Sequence, residues 1–141
     1  GSFPTEKHFA SWLGLCPDNR ITGGKVKSSK TRKVVNRAAE AFRMAAESLH
    51  HSTSALGAYY RRIRTRLGAP KAITATAHKL ARIFYRLWKN GQSYLDPGAD
   101  YYEQKYKERV IKNIKTKAKQ LGYAITLEPL SSTVGALENP C

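Results

Sequence analysis

Apolar residues recur at three- and four-residue steps in five stretches of the chain, a spacing typical of amphipathic helices. In the clearest stretch, Ile73, Ala77, Leu80, Phe84 and Leu87 share one helix face. The pattern predicts helices over residues 4–14, 31–50, 70–90 and 100–121, and a further helix that Ser52 or Ser54 would cap and that ends at Gly68. The chain is therefore expected to be all-α, a compact bundle of about five helices.

The segments outside the helices carry different signals. Residues 16–30 are basic and contain Gly23 and Gly24, which predicts a loop between the first two helices. Residues 123–127 predict a short strand, and the last residues are rich in Ser, Thr, Gly, Asn and Pro. We expect a cloning remnant at residues 1–2, one domain over residues 3–128 and a loose, flexible tail over residues 129–141.

The composition adds a strong positive charge to this picture. In 141 residues, 25 Lys and Arg stand against 10 Asp and Glu, which gives a net charge of +15. A hydrophobic content of 41% is enough for a core, and no apolar run is long enough to cross a membrane. Acids are absent between Asp18 and Glu40 and between Glu47 and Asp96. Such one-sign blocks indicate a polyanionic partner, and nucleic acid is our first choice.

The candidate nucleic-acid contacts are basic residues of the glycine-rich segment and of the third and fourth predicted helices. They are Arg20, Lys25, Lys27, Lys30, Arg32, Lys33, Arg37, Arg61, Arg62, Lys79, Arg82, Arg86 and Lys89. Aromatic residues in or near the basic segments would stack on unpaired bases where they are exposed, although most at helical spacing belong to a core. These are Tyr59, Tyr60, Tyr85, Trp88, Tyr94, Tyr101 and Tyr102.

Hydroxyl groups of the glycine-rich segment are the candidate reactive groups. Thr22, Ser28 and Ser29 lie among Lys and Arg residues, whose charge would stabilise an oxyanion and lower the pKa of a hydroxyl. The alternative from the residues alone is a flexible basic loop that only clamps a nucleic-acid backbone. Histidines and cysteines have no zinc-ligand spacing, and the scattered acids form no two-metal site, so we expect no metal in this chain.

Several segments, in order along the chain, carry a family resemblance. Residues 3–17 read Phe-Pro-Thr-Glu-Lys-His-Phe-Ala-Ser-Trp-Leu-Gly-Leu-Cys-Pro, and residues 21–25 read Ile-Thr-Gly-Gly-Lys. Residues 68–73 read Gly-Ala-Pro-Lys-Ala-Ile, and residues 77–82 read Ala-His-Lys-Leu-Ala-Arg. Together, over residues 3–125, they resemble the C-terminal transposase domain of DEDD-type insertion-sequence transposases, the IS-one-ten family with its IS-eleven-eleven branch.

The resemblance implies part of an enzyme that moves a bacterial insertion sequence by DNA strand cleavage and exchange. In that family an RNase H-like N-terminal domain carries the metal-binding acids, so a divalent metal (Mg) would be held there. A serine of the C-terminal domain is thought to form a covalent link to a DNA phosphate. A structured guide RNA selects the DNA, and subunits of a homo-oligomer (dimer or tetramer) complete the active site. The implied location is the bacterial cytoplasm, at the nucleoid, with no membrane partner.

The family's Ser-Gly-Gly-Lys loop places its nucleophile on Thr22 of this chain. Threonine is β-branched and crowded, so its attack is expected to be slower, and Ser28 or Ser29 are the alternatives. The chain alone is expected to bind nucleic acid without recombining DNA. The competing hypotheses are a non-catalytic DNA- or RNA-binding helical module and, with less support from the charge, a protein–protein adaptor.

Overall fold

The computed structural model describes residues 2–130 of the chain. Five α-helices and one two-stranded antiparallel sheet form within this range, which confirms the predicted mostly helical fold. A single 3-10 turn, Leu49–His51, follows the second helix. In chain order the elements are α1 (Glu6–Trp12), β1 (Arg20–Thr22), β2 (Lys25–Ser28), α2 (Arg37–Ser48), α3 (Ala55–Leu67), α4 (Ala69–Asn90) and α5 (Gly98–Gln120).

The chain divides into two compact units, Gly1–Lys105 and Tyr106–Cys141, and the division falls within α5. The first unit holds every element from α1 to α4 together with the start of α5. The expected domain limits at residues 3 and 128 remain predictions. Most of the expected tail, from residue 131 onward, and the first residue of the expected cloning remnant lie outside the described residues.

Side-chain caps set the first residues of three helices. The Thr5 hydroxyl accepts from the His8 amide at the start of α1, and the Ser54 hydroxyl accepts from the Gly57 amide at the start of α3. Asn36 Oδ1 accepts from the Ala38 amide at 2.9 Å, so α2 begins at residue 37 and not at residue 31 as predicted. The Asn36 cap therefore determines where α2 begins, and the apolar periodicity, which predicted an earlier start, does not.

The core of the first unit lies where α4 contacts α1, α2 and α3. Small residues allow these helices to approach closely, and larger residues from α1 and the turn after it fill the remaining space. The buried cluster is Phe9, Leu13, Leu15, Ala39, Ala46, Ala77, Ala81 and Tyr85. Tyr85 also donates a hydrogen bond from its hydroxyl to the Phe3 carbonyl oxygen, so it serves the core and is not available for base stacking.

One glycine fixes the packing of α3 against the preceding turn. A Cβ atom added at Gly57 would lie 2.3 Å from the Ser52 carbonyl oxygen and 3.0 Å from the Leu49 carbonyl oxygen. Both contacts are to backbone, which cannot move aside cheaply. Only glycine therefore fits at this point of the α3 surface.

In the second unit, the described residues are the rest of α5 and the segment that follows it. Ala118 is buried, and Ile114 and Leu121 of the predicted apolar stripe are 42% and 75% exposed. After α5 the backbone amide of Tyr123 donates to the Ala118 carbonyl at 2.9 Å. Residues 123–127 form no strand, so that prediction was wrong. A strand needs a partner for its backbone groups, and none pairs with this segment among the described residues.

No helix within residues 2–130 is both long enough and apolar enough to cross a membrane.

Candidate nucleic-acid interface

The basic glycine-rich segment contains a β-hairpin, whereas the sequence predicted a loop. Strands β1 and β2 pair antiparallel, and Thr22 faces Lys25 across a two-residue turn formed by Gly23 and Gly24. Their φ angles are +57° and +75°. Two consecutive positive φ values are what a type I′ hairpin turn requires, and glycine adopts them without strain. A Gly-Gly pair between alternating residues is a hairpin signal that the loop interpretation missed.

The register of the hairpin determines which side chains share a face. Thr22 pairs with Lys25, and Arg20 pairs with Ser28, with a register shift between Arg20 and its neighbour in β1. Direct cross-strand partners lie on the same face of a sheet, so Thr22 shares a face with Lys25, and Arg20 shares a face with Ser28. The pairing therefore places each of these two hydroxyl groups next to a cation of the opposite strand.

A basic pocket lies at the base of the hairpin. An isolated bridge between Pro17 and Thr31 closes the ribbon, and the Asp18 amide donates to the Lys30 carbonyl oxygen at 2.9 Å. The pocket has a volume of about 470 Å³. Its lining residues are Asp18, Arg20, Ser28, Lys30, Thr31, Arg32 and Lys33. Asp18 and Thr31 were not among the predicted site residues. The strand pairing brings Asp18 beside Lys30, whereas Thr31 is the sequence neighbour of Lys30 and Arg32.

The candidate nucleophiles have different surroundings. Ser28 is half-buried, lines the basic pocket, and its Oγ accepts from the Lys30 amide at 3.4 Å. Thr22 is exposed beside the turn and shares the hairpin face with Lys25. Ser29 is exposed and is not part of the pocket lining. The structure thus pairs Thr22 with Lys25 and Ser28 with Arg20 across the hairpin, and Ser29 is part of neither pair.

The cations of this region are exposed and unpaired within residues 2–130. No hydrogen bond or ion pair joins their side chains to another described residue, and their charges are available to an outside anion. We call this set the hairpin cations: Arg20, Lys25, Lys27, Lys30, Arg32, Lys33 and Arg37. Arg37 is the first residue of α2 and the others lie on or beside the hairpin.

The basic stripe of α4 has a different environment, in which its charges hold α1 in place. Arg82 donates to Glu6 from two nitrogens, and Arg86 forms a second ion pair with Glu6 at 2.9 Å. Lys89 donates to the Pro4 carbonyl oxygen at 3.1 Å. Lys79 lies over the ring of Tyr59, 4.2 Å from its centroid. This stripe is therefore engaged in tertiary contacts within the first unit.

The two predicted contacts on α3 are also engaged. Arg61 donates to the carbonyl oxygens of His50 and Ser52, at 3.1 and 2.6 Å, and thereby ties α3 to the 3-10 turn. Arg62 forms an ion pair with Glu103 near the start of α5. The sequence offered no means to separate these arginines from the hairpin cations, because their partners lie far away along the chain.

Glu6 was missed by the sequence interpretation and has a central role in the charge pattern. Its side chain is 19% exposed. The hydrogen bond from Arg82 holds the pKa of Glu6 below its ordinary value of 4.5, against the opposing effect of burial. A carboxylate that stays ionised between two arginines neutralises part of the α4 stripe. The nearest sequence signal was the position of an acid in the first turn of α1, ahead of a long acid-free region.

The titratable groups near this pair do not form a metal site. Burial raises the pKa of the Cys16 thiol despite the opposing charges of Arg82 and Arg32, so the thiol stays protonated near neutral pH. Burial and the charge of Arg82 lower the pKa of His78. No group of three or more His, Cys, Asp or Glu residues within the described chain is placed to hold a metal ion.

Residues 1–61 match a protein-family model described as the transposase IS116/IS110/IS902 family. The matched part runs from α1 through the hairpin, α2 and the 3-10 turn into α3. No curated protein and no solved structure matches the chain. The matched residues include all three candidate nucleophiles and all the hairpin cations.

Proposed function

We propose that this chain is the nucleic-acid-binding and nucleophile-bearing part of an insertion-sequence transposase. The observation that carries the proposal is the basic hairpin face, which lies inside the segment that is similar to the transposase family. There, hydroxyl groups stand beside cations that no other described residue neutralises. Such a surface suits a phosphodiester backbone, because several Lys and Arg residues can contact successive phosphates.

The chemistry proposed for the hairpin is transfer of a DNA phosphate to a protein hydroxyl. The hydroxyl oxygen forms a bond to phosphorus and gives up its proton, while the bond from phosphorus to one DNA oxygen breaks and that oxygen takes a proton. A phosphodiester remains, so the later rejoining of strands needs no outside energy source. The hairpin cations would stabilise the charge that develops on the phosphate oxygens.

Metal chemistry is not assigned to this chain. Carboxylates that hold Mg²⁺ must converge on one point, and no such group exists among residues 2–130. The family resemblance places those acids in an RNase H-like N-terminal domain. The same resemblance is the basis for proposing DNA and a structured guide RNA as partners, a dimer or tetramer as the assembly, and the bacterial cytoplasm at the nucleoid as the location.

Two hydroxyls compete for the role of nucleophile. Thr22 has the position that matches the family loop, and it faces Lys25 on the hairpin. Ser28 has the better-built surroundings, because it is half-buried in the basic pocket and its Oγ is held by the Lys30 amide. Serine also presents its oxygen with less crowding than threonine. We rank Ser28 and Thr22 above Ser29, which lies outside the pocket lining.

The experiment is a set of single substitutions, Thr22→Ala, Ser28→Ala and Ser29→Ala, in the transposase that contains the N-terminal domain. Loss of the nucleophile should reduce recombination by roughly a thousandfold or more and abolish the protein–DNA adduct on a denaturing gel. Thr22→Ser tests the crowding argument and should keep or raise the rate. Ser11→Ala, at an exposed serine of α1, is the matched control. Full activity and a full adduct signal in all three alanine variants would reject a hairpin nucleophile.

A non-catalytic nucleic-acid-binding module is the second candidate function. The observation that favours it is the exposure of the hairpin cations, which can contact phosphates whether or not a hydroxyl group reacts. The two functions agree that the 141-residue chain alone binds nucleic acid and does not cleave it. Their predictions differ for the full transposase. There, the module hypothesis predicts that hydroxyl substitutions change neither the protein–DNA adduct nor recombination.

A further inference from the structure

A second concave site lies between α4, the link that follows it and the start of α5. It has a volume of about 510 Å³, within the range of small-molecule sites, and shares no lining residue with the hairpin pocket. We call it the tyrosine cleft, after Tyr94, Tyr101 and Tyr102. The described residues that line it also include Lys79, Arg86 and Lys105, and none of them is acidic.

The link that forms one wall of the tyrosine cleft is fixed at both ends. Asp96 Oδ1 accepts from the Ala55 amide at 3.1 Å and from the Tyr94 hydroxyl at 3.2 Å. The Gln92 amide donates to the Leu87 carbonyl at 3.1 Å. Asp96 therefore ties the link to the first residue of α3, and Tyr94 is oriented by a hydrogen bond. A cleft whose walls are held in this way needs little rearrangement to accept a ligand.

The lining combines aromatic rings with cations. Tyr94 and Tyr101 are 44% and 51% exposed, so their rings are accessible to a planar group. Lys105 Nζ lies 5.8 Å from the centroid of the Tyr101 ring, and Lys79 lies near the Tyr102 ring at 5.9 Å. Burial, and then the charge and hydrogen bond of Asp96, raise the pKa of Tyr94, so it remains a neutral phenol. The cleft therefore contains both aromatic rings that can stack on a base and cations that can bind a phosphate.

We propose that the tyrosine cleft binds one unpaired nucleotide of a nucleic-acid strand. The base stacks on Tyr94 and Tyr101, and the attached phosphate lies near Lys105. A base in a duplex is stacked on its neighbours and cannot enter, so the cleft selects single-stranded or flipped-out positions. This inference rests on the proposed function in one respect, that the chain binds nucleic acid. It adds a second contact site for nucleic acid on the chain and specifies that the nucleic acid is single-stranded at that site.

The experiment measures binding of the 141-residue chain to a labelled oligothymidine of about 12 nucleotides and to a duplex of the same length. Tyr101→Ala should weaken binding of the single strand on the order of tenfold and leave duplex binding unchanged, and Tyr101→Phe should bind like the unsubstituted chain. Tyr123→Ala removes a 71% exposed tyrosine outside the cleft and serves as the matched control. Lys105→Gln is a second, independent variant and should also weaken single-strand binding.

Oligonucleotide binding by the two cleft variants decides whether the cleft proposal holds. If Tyr101→Ala and Lys105→Gln both bind the single strand like the unsubstituted chain, the cleft proposal is overturned while the hairpin interface stands. The cleft proposal is also overturned if Tyr101→Ala and Lys105→Gln weaken duplex binding as much as they weaken single-strand binding. Displacement of the oligonucleotide by thymidine monophosphate at micromolar concentration would assign the cleft to a free nucleotide instead of a strand. Absence of binding to both probes by the unsubstituted chain would overturn the proposed function as well.

Discussion

The hairpin and helix α4 both carry closely spaced Lys and Arg residues, but the surroundings of those residues differ. The hairpin cations are exposed and have no hydrogen-bonding or ion-pair partner within residues 2–130. On α4, Arg82 and Arg86 are bound to Glu6, and Lys89 is bound to the Pro4 carbonyl oxygen. Two runs of basic residues that look alike in the sequence thus have different physical roles. The hairpin cations form an exposed surface for which we propose an anionic partner, and the α4 stripe fastens α1 to the core.

The comparison shows why charge density alone is a poor guide to a binding surface. A cation that already has a carboxylate partner gains less from a phosphate, because the first interaction must be weakened to make the second. The hairpin cations have no such competition. The assignment of function to the hairpin, and of a mainly structural role to the α4 stripe, follows from this difference.

The largest expected effect is on stability, from the double substitution Arg82→Gln with Arg86→Gln. It removes the hydrogen bonds and ion pairs of Glu6, whose side chain is only 19% exposed. We expect a loss of about 2 kcal/mol in the free energy of unfolding, measured by urea denaturation. The matched double substitution Lys25→Gln with Lys27→Gln on the hairpin should change the free energy of unfolding by less than about 0.5 kcal/mol. Equal losses in the two variants would remove the distinction between the regions.

The stability of the chain is expected to depend on pH through Glu6, the carboxylate that binds the α4 stripe. Arg82, chiefly through its hydrogen bond, lowers the pKa of Glu6 below 4.5 in the folded state. The stability that Glu6 contributes is therefore present above about pH 4.5 and is lost as the pH falls through the lower folded-state pKa.

A comparison of unfolding free energies for the unsubstituted chain and Glu6→Gln from pH 7 to pH 3 isolates this contribution. The difference between them should be about 1 to 2 kcal/mol at neutral pH and should shrink below pH 4.5. Burial lowers the pKa of His78, which also reduces stability in acid, and the charge of Glu6 opposes that lowering, so the convergence reports Glu6 together with its coupling to His78. Glu47→Gln, at an exposed acid of α2, is the control and should show no such convergence.

The smallest expected effect concerns the turn of the hairpin. Gly24 has a φ angle of +75° and no heavy atom within 4 Å of an added Cβ, so Gly24→Ala suffers backbone strain without a steric clash. The strain should be about 1 kcal/mol and confined to the hairpin. Amide hydrogen exchange should accelerate about fivefold at Thr22 and Lys25, the hydrogen-bonded pair beside the turn, and remain unchanged in the core of α4. Faster exchange throughout α4 would mean that the hairpin is part of the global folding unit.

The helices could be predicted from the sequence because their signals are local. The apolar periodicity and the cap at Thr5 predicted α1, and the periodicity with a cap at Ser52 or Ser54 predicted α3, where Ser54 is the cap observed. Pro70 and Gly91 marked the two ends of α4. The start of α2 was misplaced because Val35 continues the apolar pattern, although it is fully exposed and precedes the Asn36 cap. Periodicity does not reveal where an apolar residue has nothing to pack against.

The candidate site was less predictable, because it depends on contacts between distant residues. The basic hairpin segment was recognised by its composition, but the cross-strand partners of Thr22 and Ser28 follow only from the strand register. The engagement of Arg82 by Glu6 joins residues far apart in the sequence and has no local signature. The tyrosine cleft likewise depends on how the link after α4 returns to α3 through Asp96.

The most direct test of the two-region account is the salt dependence of nucleic-acid binding for the two double variants, Lys25→Gln with Lys27→Gln and Arg82→Gln with Arg86→Gln. The slope of log affinity against log salt for a duplex reports the number of neutralised phosphates, at about 0.9 per contact. We predict that the hairpin variant flattens this slope by roughly two units. The α4 variant, measured under conditions where it is still folded, should change the slope by less than about half a unit. A flattened slope in the α4 variant together with an unchanged slope in the hairpin variant would contradict the two-region account.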